Sequence, residues 1–178
     1  MSLEKLAKTL NTRTNNGPPI EKWNPPFCGD IPIKIESSGK WLYQGSEISR
    51  AAMVKLFASV LWFEEDEYFL VTPVEKVRIE VEDLPLVITQ WENTGDSNAP
   101  VIQVSTSLGD TVVISQSYPL ELDDKGLKVR IRRNLWARVH RNVYYQWAEL
   151  AEVKADDSSG RQQAIIKSSG QEYTLGDF

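Results

Sequence analysis

The residues of this chain whose types and spacing could do chemistry are arginines, lysines and a threonine, and that chemistry is anion binding. Seven of the 20 basic residues crowd between Lys125 and Arg141 with no acid among them. They are Lys125, Lys128, Arg130, Arg132, Arg133, Arg138 and Arg141. Guanidinium forks grip phosphate or carboxylate bidentately, and Trp136, Tyr144 or Tyr145 could stack on a base beside them. The competing reading is a solvated face, with Lys128, Arg130 and Arg132 on the outer side of a strand. Arg138 and Arg141 then sit on the solvent side of a helix, paired with acids of the first half. Charge runs are most often of this kind, so it stands ahead. In the first half, Arg50 opens a helical stretch, where a cation opposes the helix dipole and a specific partner explains it better than helix stability does. Thr72-Pro73-Val74-Glu75-Lys76 is a tight turn dense in polar groups, in which the bland reading of Glu75 and Lys76 is a surface ion pair of little weight.

Other chemistries find no support in the residues. There is no Gly-x-Gly-x-x-Gly, Gly-Lys-Ser/Thr, Gly-x-Ser-x-Gly or His-Glu-x-x-His arrangement. Cys28 and His140 are single representatives of their types, so neither a disulfide nor a zinc set is expected, and no cofactor is called for. Glu64 to Glu67 is four consecutive acids, which cannot converge on one ion and read as a solvated loop tip. Glu82 and Asp83 are adjacent in a strand, so their side chains point to opposite faces. The net charge of −5 opposes duplex nucleic acid, whose binding rests on neutralising many phosphates. No run of about 18 apolar residues is present, so no membrane span is expected. Leu3, Leu6, Ala7 and Leu10 have helical rather than secretory spacing, and a cytoplasmic protein is the default.

Positioning these groups requires a core, and 178 residues at 41% hydrophobic and 25% charged supply enough for one sizeable core or two small ones. Asn11 to Pro26 reads as a linker, with Trp23 anchoring it. Ile31, Ile33 and Ile35 alternate with polar residues as a half-buried strand, in which Pro32 argues for a sheet edge. A Ser37-Ser38-Gly39 turn leads to Trp41-Leu42-Tyr43. Ser46 or Ser49 is placed to cap a helix whose buried face is Ile48, Ala52, Met53, Leu56, Phe57, Val60 and Leu61. Tyr68 to Thr72 and Val77 to Val81 are strands. Leu86 to Trp91, Val101 to Thr106, Thr111 to Ser115 and Leu127 to Ile131 follow as further strands. Asn134 is expected to cap a long helix carrying Leu135, Val139, Val143, Trp147 and Leu150, and a hairpin around Ser168-Ser169-Gly170 closes the chain. The organisation is α+β in three segments: residues 1–17 a helix and linker, 18–85 a first domain, 86–178 a second, β-rich one. A strand-helix-strand core recurs in both domains, with Ile31–Ile35 and Leu127–Ile131 as counterparts.

The block Gly39-Lys-Trp-Leu-Tyr-Gln-Gly-Ser-Glu-Ile-Ser-Arg-Ala-Ala-Met-Val-Lys-Leu-Phe, with Tyr68-Phe-Leu-Val-Thr-Pro-Val-Glu-Lys and Val81-Glu-Asp-Leu-Pro, resembles an uncharacterised bacterial family, domain of unknown function family 1285. The likeness extends more loosely through Ser105-Thr-Ser-Leu-Gly-Asp and Val143-Tyr-Tyr-Gln-Trp. It implies a duplicated two-domain core, a second domain superficially like pleckstrin-homology folds, and a ligand site where the domains meet. It also implies a nucleotide-like ligand and a signalling or stress-response role, with no catalytic residues. With that implication, Arg50, Thr72, Glu75 and Lys76, joined by Arg132 or Arg138, are expected to line a cleft for an anionic ligand. The expected function is a non-catalytic ligand-binding or signalling accessory protein. The alternative is an adaptor that engages a protein partner through its second domain.

Overall fold

Ile31, Ile33 and Ile35 are buried while Pro32 between them is exposed, and this period of two draws Phe27–Ile35 out as strand β1. The computed structural model of the protein describes residues 2–10 and 17–178. The expected linker therefore lies partly outside the described residues. Within its described part a short 3-10 turn, Ile20–Lys22, buries Ile20. The chain forms two compact units, Met1–Pro85 and Leu86–Phe178.

In the first unit β1 is followed by β2 (Trp41–Tyr43), β3 (Ser46–Glu47), β4 (Leu61–Glu64), β5 (Glu67–Val71) and β6 (Lys76–Val81). They form one sheet in the order β3-β2-β1-β6-β5-β4, antiparallel throughout except where β1 runs parallel to β6. Helix α1 (Leu3–Leu10) buries Leu6 and Leu10 and lies against α2 (Ala51–Ser59). The core is built on Ile33, Ile35, Leu61 and Leu70, with Trp41 stacked on Phe57 at 6.5 Å between ring centroids. Each such fully buried aliphatic side chain is worth roughly 1.5–3 kcal/mol. Glu65 and Asp66 turn β4 into β5 with positive φ at both residues, the conformation a two-residue hairpin needs.

The second unit contains β7 (Leu86–Asn93), β8 (Ile102–Thr106), β9 (Thr111–Val113), β10 (Leu120–Asp123), β11 (Gly126–Arg132) and β12 (Leu135–Val139). Their order is β10-β11-β12-β7-β8-β9, with β7 parallel to β12. Helix α3 (Arg141–Leu150) leads to a three-stranded sheet of β13 (Glu152–Ala155), β14 (Gln162–Ser168) and β15 (Gln171–Asp177). The β14–β15 turn uses Ser169 and Gly170, both at positive φ.

Both six-stranded sheets obey one plan: two three-stranded meanders whose first and last strands pair in parallel. The duplication expected from the sequence is present in the sheets, but its register runs β1 to β7 and β6 to β12. Leu127–Ile131 lies in the fifth strand of its sheet, the counterpart of β5 rather than of β1. The helices occupy different places in the two copies, α2 between the third and fourth strands and α3 after the sixth.

Three local expectations are corrected. No helix starts at Asn134: Leu135, Ala137 and Val139 are buried while Trp136 and Arg138 are half-buried, and these residues pair with β11. Four-residue spacing is shared by a helix and a strand, since four is a multiple of two, so Leu135 and Val139 could not discriminate. Helix α3 begins only at Arg141, and its cap lies six residues beyond Asn134 at His140, whose Nδ1 accepts the Asn142 N–H at 3.2 Å. Pro32 does not mark an edge, for β1 lies between β2 and β6. It is tolerated because the five residues of β1 from Asp30 to Lys34 lie opposite only three of β6, Arg78 to Glu80, and Pro32 falls in that irregularity. In α2 the buried residues are Val54, Phe57 and Ala58, whereas Ala52 is exposed and Ile48 precedes the helix. Strands β3, β4, β10 and β13 were not read from the sequence, and Leu61 and Glu64, expected on the helix and in the loop tip, belong to β4.

Candidate functional site

Thr72, Glu75 and Lys76 are brought together by one turn. Thr72 is fully buried, and its Oγ accepts the N–H groups of Val74 at 3.3 Å and Glu75 at 3.0 Å. Its own N–H donates to the Glu75 carbonyl at 2.8 Å. The hydroxyl therefore closes the turn between β5 and β6 from inside. Lys76 leaves that turn along β6 and pairs with Glu64 rather than with Glu75. Its ammonium also lies 4.3 Å from the centroid of the Phe69 ring, a cation over an aromatic face. Glu64 and Lys76 border a small recess of roughly 120 Å³ with Trp23, Pro25, Trp62 and Val71. Trp23 anchors its segment there, half-buried. Beside it, Arg78 grips Asp30 at 2.7 and 3.2 Å and Glu67 at 2.9 Å, and this bond holds the Asp30 carboxyl below its ordinary range.

Arg50 lies in a separate recess of the same unit, roughly 240 Å³, bordered by Tyr43, Ser46, Ser49, Met53, Leu3 and Glu4 among others. It is the N-cap of α2, and neither Ser46 nor Ser49 caps the helix as the sequence suggested: no side chain bonds to its first turn, which also holds no acid. The Arg50 carbonyl accepts from the N–H groups of Met53 and Val54. Among the described residues no acceptor meets the N–H groups of Ala51 and Ala52, which carry the positive end of the helix dipole. Arg50 is exposed and has no ion-pair partner among the described residues.

In the second unit Arg132 and Arg138 stand on one hairpin, on β11 and β12, each held by its own carboxylate. Arg132 pairs with Asp110, and Asp110 in turn accepts from the Thr106 hydroxyl at 3.0 Å. Arg138 binds Asp123 at 2.8 and 3.1 Å and donates to the Gly126 carbonyl at 2.8 Å. It sits on a strand, not a helix, and its acid comes from the same unit. That contact, before any other, holds the Asp123 carboxyl below the usual range. Lys128 stacks over Trp136 at 4.8 Å. Among the described residues no three His, Cys, Asp or Glu side chains are grouped to hold a metal ion, and no helix is long and apolar enough to cross a membrane.

Sequence reading missed a further concavity of the second unit, beside Trp91 and Trp147. Its walls come from β7, β8, α3 and β14, and no short motif announces residues so far apart in the chain.

Comparison with known proteins places both units. The model described as domain of unknown function (DUF1285), N-terminal domain, matches residues 18–84. That described as protein of unknown function (DUF1285), C-terminal domain, matches residues 85–175. Among solved structures, a DUF1285 family protein from Silicibacter pomeroyi DSS-3 is 35% identical over 99% of this chain and 95% of its own, with a TM-score of 0.87. A second, from Shewanella baltica OS155, is 36% identical over 67% of this chain and 91% of its own, with a TM-score of 0.55. No curated protein matches the chain.

Proposed function

The chain belongs to the DUF1285 family, a kinship that carries no activity, and from its own side chains we propose a non-catalytic protein that binds a small anionic ligand at Arg50. One observation carries this reading: a guanidinium without an ion-pair partner among the described residues stands at a helix start that has no side-chain cap and no acid in its first turn. A helix stabilised for its own sake would hold Ser, Asp or Glu there. Two backbone N–H groups, the dipole and Arg50 all favour a negative group at one point, the usual makings of a phosphate or carboxylate site. Tyr43 and Met53 border the recess and offer apolar surface to the rest of a nucleotide-like ligand. Glu4 and Glu47 also border it, which favours one phosphate over a polyphosphate chain. The turn residues Thr72, Glu75 and Lys76 and the paired Arg132 and Arg138 support the frame in this reading rather than the ligand. A role in signalling or stress response suits a protein that binds without reacting.

Calorimetric titration with inorganic phosphate and with adenosine monophosphate tests it. A charge-assisted contact is worth about 1.5–3 kcal/mol, so Arg50→Ala is expected to weaken binding by roughly tenfold or more. Absence of binding for both compounds, or equal binding by the variant, refutes the reading.

A second reading, an adaptor acting through the second unit, is favoured by the exposed Tyr144 and Tyr145 on α3, which stack edge to face at 5.8 Å. Tyr and similar rigid aromatics are preferred anchors in protein interfaces. Partners captured through them are expected to survive Arg50→Ala and Lys76→Ala and to be lost with Tyr145→Ala.

A further inference from the structure

Trp91 walls a cleft of roughly 470 Å³ where β7, β8, α3 and β14 converge, with Trp147 fully buried behind it, a volume within the ~300–1,000 Å³ typical of small-molecule sites. Leu150 and Pro100 add accessible apolar surface, and Ile102, Ile165 and Ile166 lie buried beneath it. The walls are fixed before any ligand arrives. The Trp91 indole donates to the Gln146 side-chain oxygen at 2.7 Å and meets Trp147 edge to face at 6.2 Å and 74°. The opposite rim is the segment between β7 and β8, closed by Asn93, whose Oδ1 accepts the N–H groups of Gly95 and Val101, both at 3.0 Å. A Cβ built on Gly95 would come within 2.3 Å of the Ala99 carbonyl oxygen, so that segment folds tightly on itself. It presents Ser97 and Asn98 to the cleft.

Charge decides the class of ligand. The charged residues lining the cleft are Lys167 and Glu152, and they pair with one another at 2.8 Å. A carboxylate ligand would have to displace Glu152, and an amine would have to displace Lys167. The remaining polar groups of the rim are amides and a hydroxyl. The geometry points to a binding site for a small uncharged molecule, with an aromatic or aliphatic body set against the Trp91 indole and Leu150 and an amide or hydroxyl at the rim. This site does not depend on the reading of Arg50.

Benzamide, benzoate and benzylammonium share one body and differ in charge, which makes them suitable probes. Titration of the full chain, followed through the Trp91 indole N–H resonance, is expected to give saturable shifts with benzamide at an affinity at least tenfold above either charged analogue. Leu150 is 63% exposed at the mouth, so Leu150→Trp fills the cleft with little effect on the core and should abolish the shifts. Asn98→Trp, on the opposite rim, does the same without touching α3. No saturable shift, a preference for benzoate or benzylammonium, or shifts that persist in both filled variants would overturn the proposal.

Discussion

Replacing Thr72 by valine should destabilise the first unit through the turn between β5 and β6, and the amount follows from three hydrogen bonds. Valine preserves the shape of threonine and removes the oxygen. The Glu75 N–H, held at 3.0 Å, then loses its acceptor, and the Val74 N–H loses a longer one at 3.3 Å. Glu75 is half-buried, so its N–H is partly shielded from water, and a donor left without a partner there costs about 1–2 kcal/mol. Val74 is 61% exposed, so its N–H can recover water and contributes little. The third bond, from the hydroxyl to the Glu75 carbonyl, is long at 3.4 Å. Almost all of the effect therefore belongs to the Glu75 N–H, and Thr72→Val is expected to cost about 2 kcal/mol. Thr72→Ser keeps the oxygen and deletes one buried methyl, for about 1 kcal/mol. Urea unfolding followed by tryptophan fluorescence measures both, with the midpoint falling in the order wild type, serine, valine at constant slope. If valine proves no more costly than serine, the hydroxyl does not hold the turn and the reasoning fails.

Arg138→Met should cost about 2 kcal/mol, because it strips the partially buried Asp123 of its bidentate partner. The Asp123 carboxyl is held low, so the unfolded chain takes up its proton first. The pair's contribution is present above pH ~4 and is lost as pH falls through the folded-state value; acid titration of stability should show a shallower slope in Arg138→Met than in wild type, the remainder coming from the Lys125 N–H and Lys128. Asp156 accepts from the Ser159 hydroxyl at 2.5 Å and the Ser158 hydroxyl at 2.7 Å, which lowers its carboxyl to about 2. Carbon-detected NMR titration should find that value, and Ser159→Ala should raise it. Trp41→Ala, which deletes a buried indole stacked on Phe57, is expected to cost about 3–5 kcal/mol by thermal or urea unfolding.

The parts of this protein legible in its sequence are those where one period stands alone. Ile31, Ile33 and Ile35, or Val77, Ile79 and Val81, admit only a strand, and Ser169-Gly170 only a tight turn. Leu135 and Val139 fit a strand and a helix alike, and the pairing with β11 that chose between them is not local. Pro32 misled because an irregularity in pairing cannot be seen from one strand. Among the candidate site residues, Arg50 was conspicuous for standing where a helix does not want a cation. The engagement of Arg132 by Asp110, of Arg138 by Asp123 and of Lys76 by Glu64 depends on contacts across 22, 15 and 12 residues of chain. Charge balance at that range is settled by topology, not composition.

The central claim is that the start of α2 receives an anion. The most direct measurement is the amide spectrum of the chain titrated with inorganic phosphate. The account predicts saturable shifts of the Ala51 and Ala52 N–H signals that vanish in Arg50→Ala. Shifts absent from these two amides, or unchanged in the variant, would contradict it.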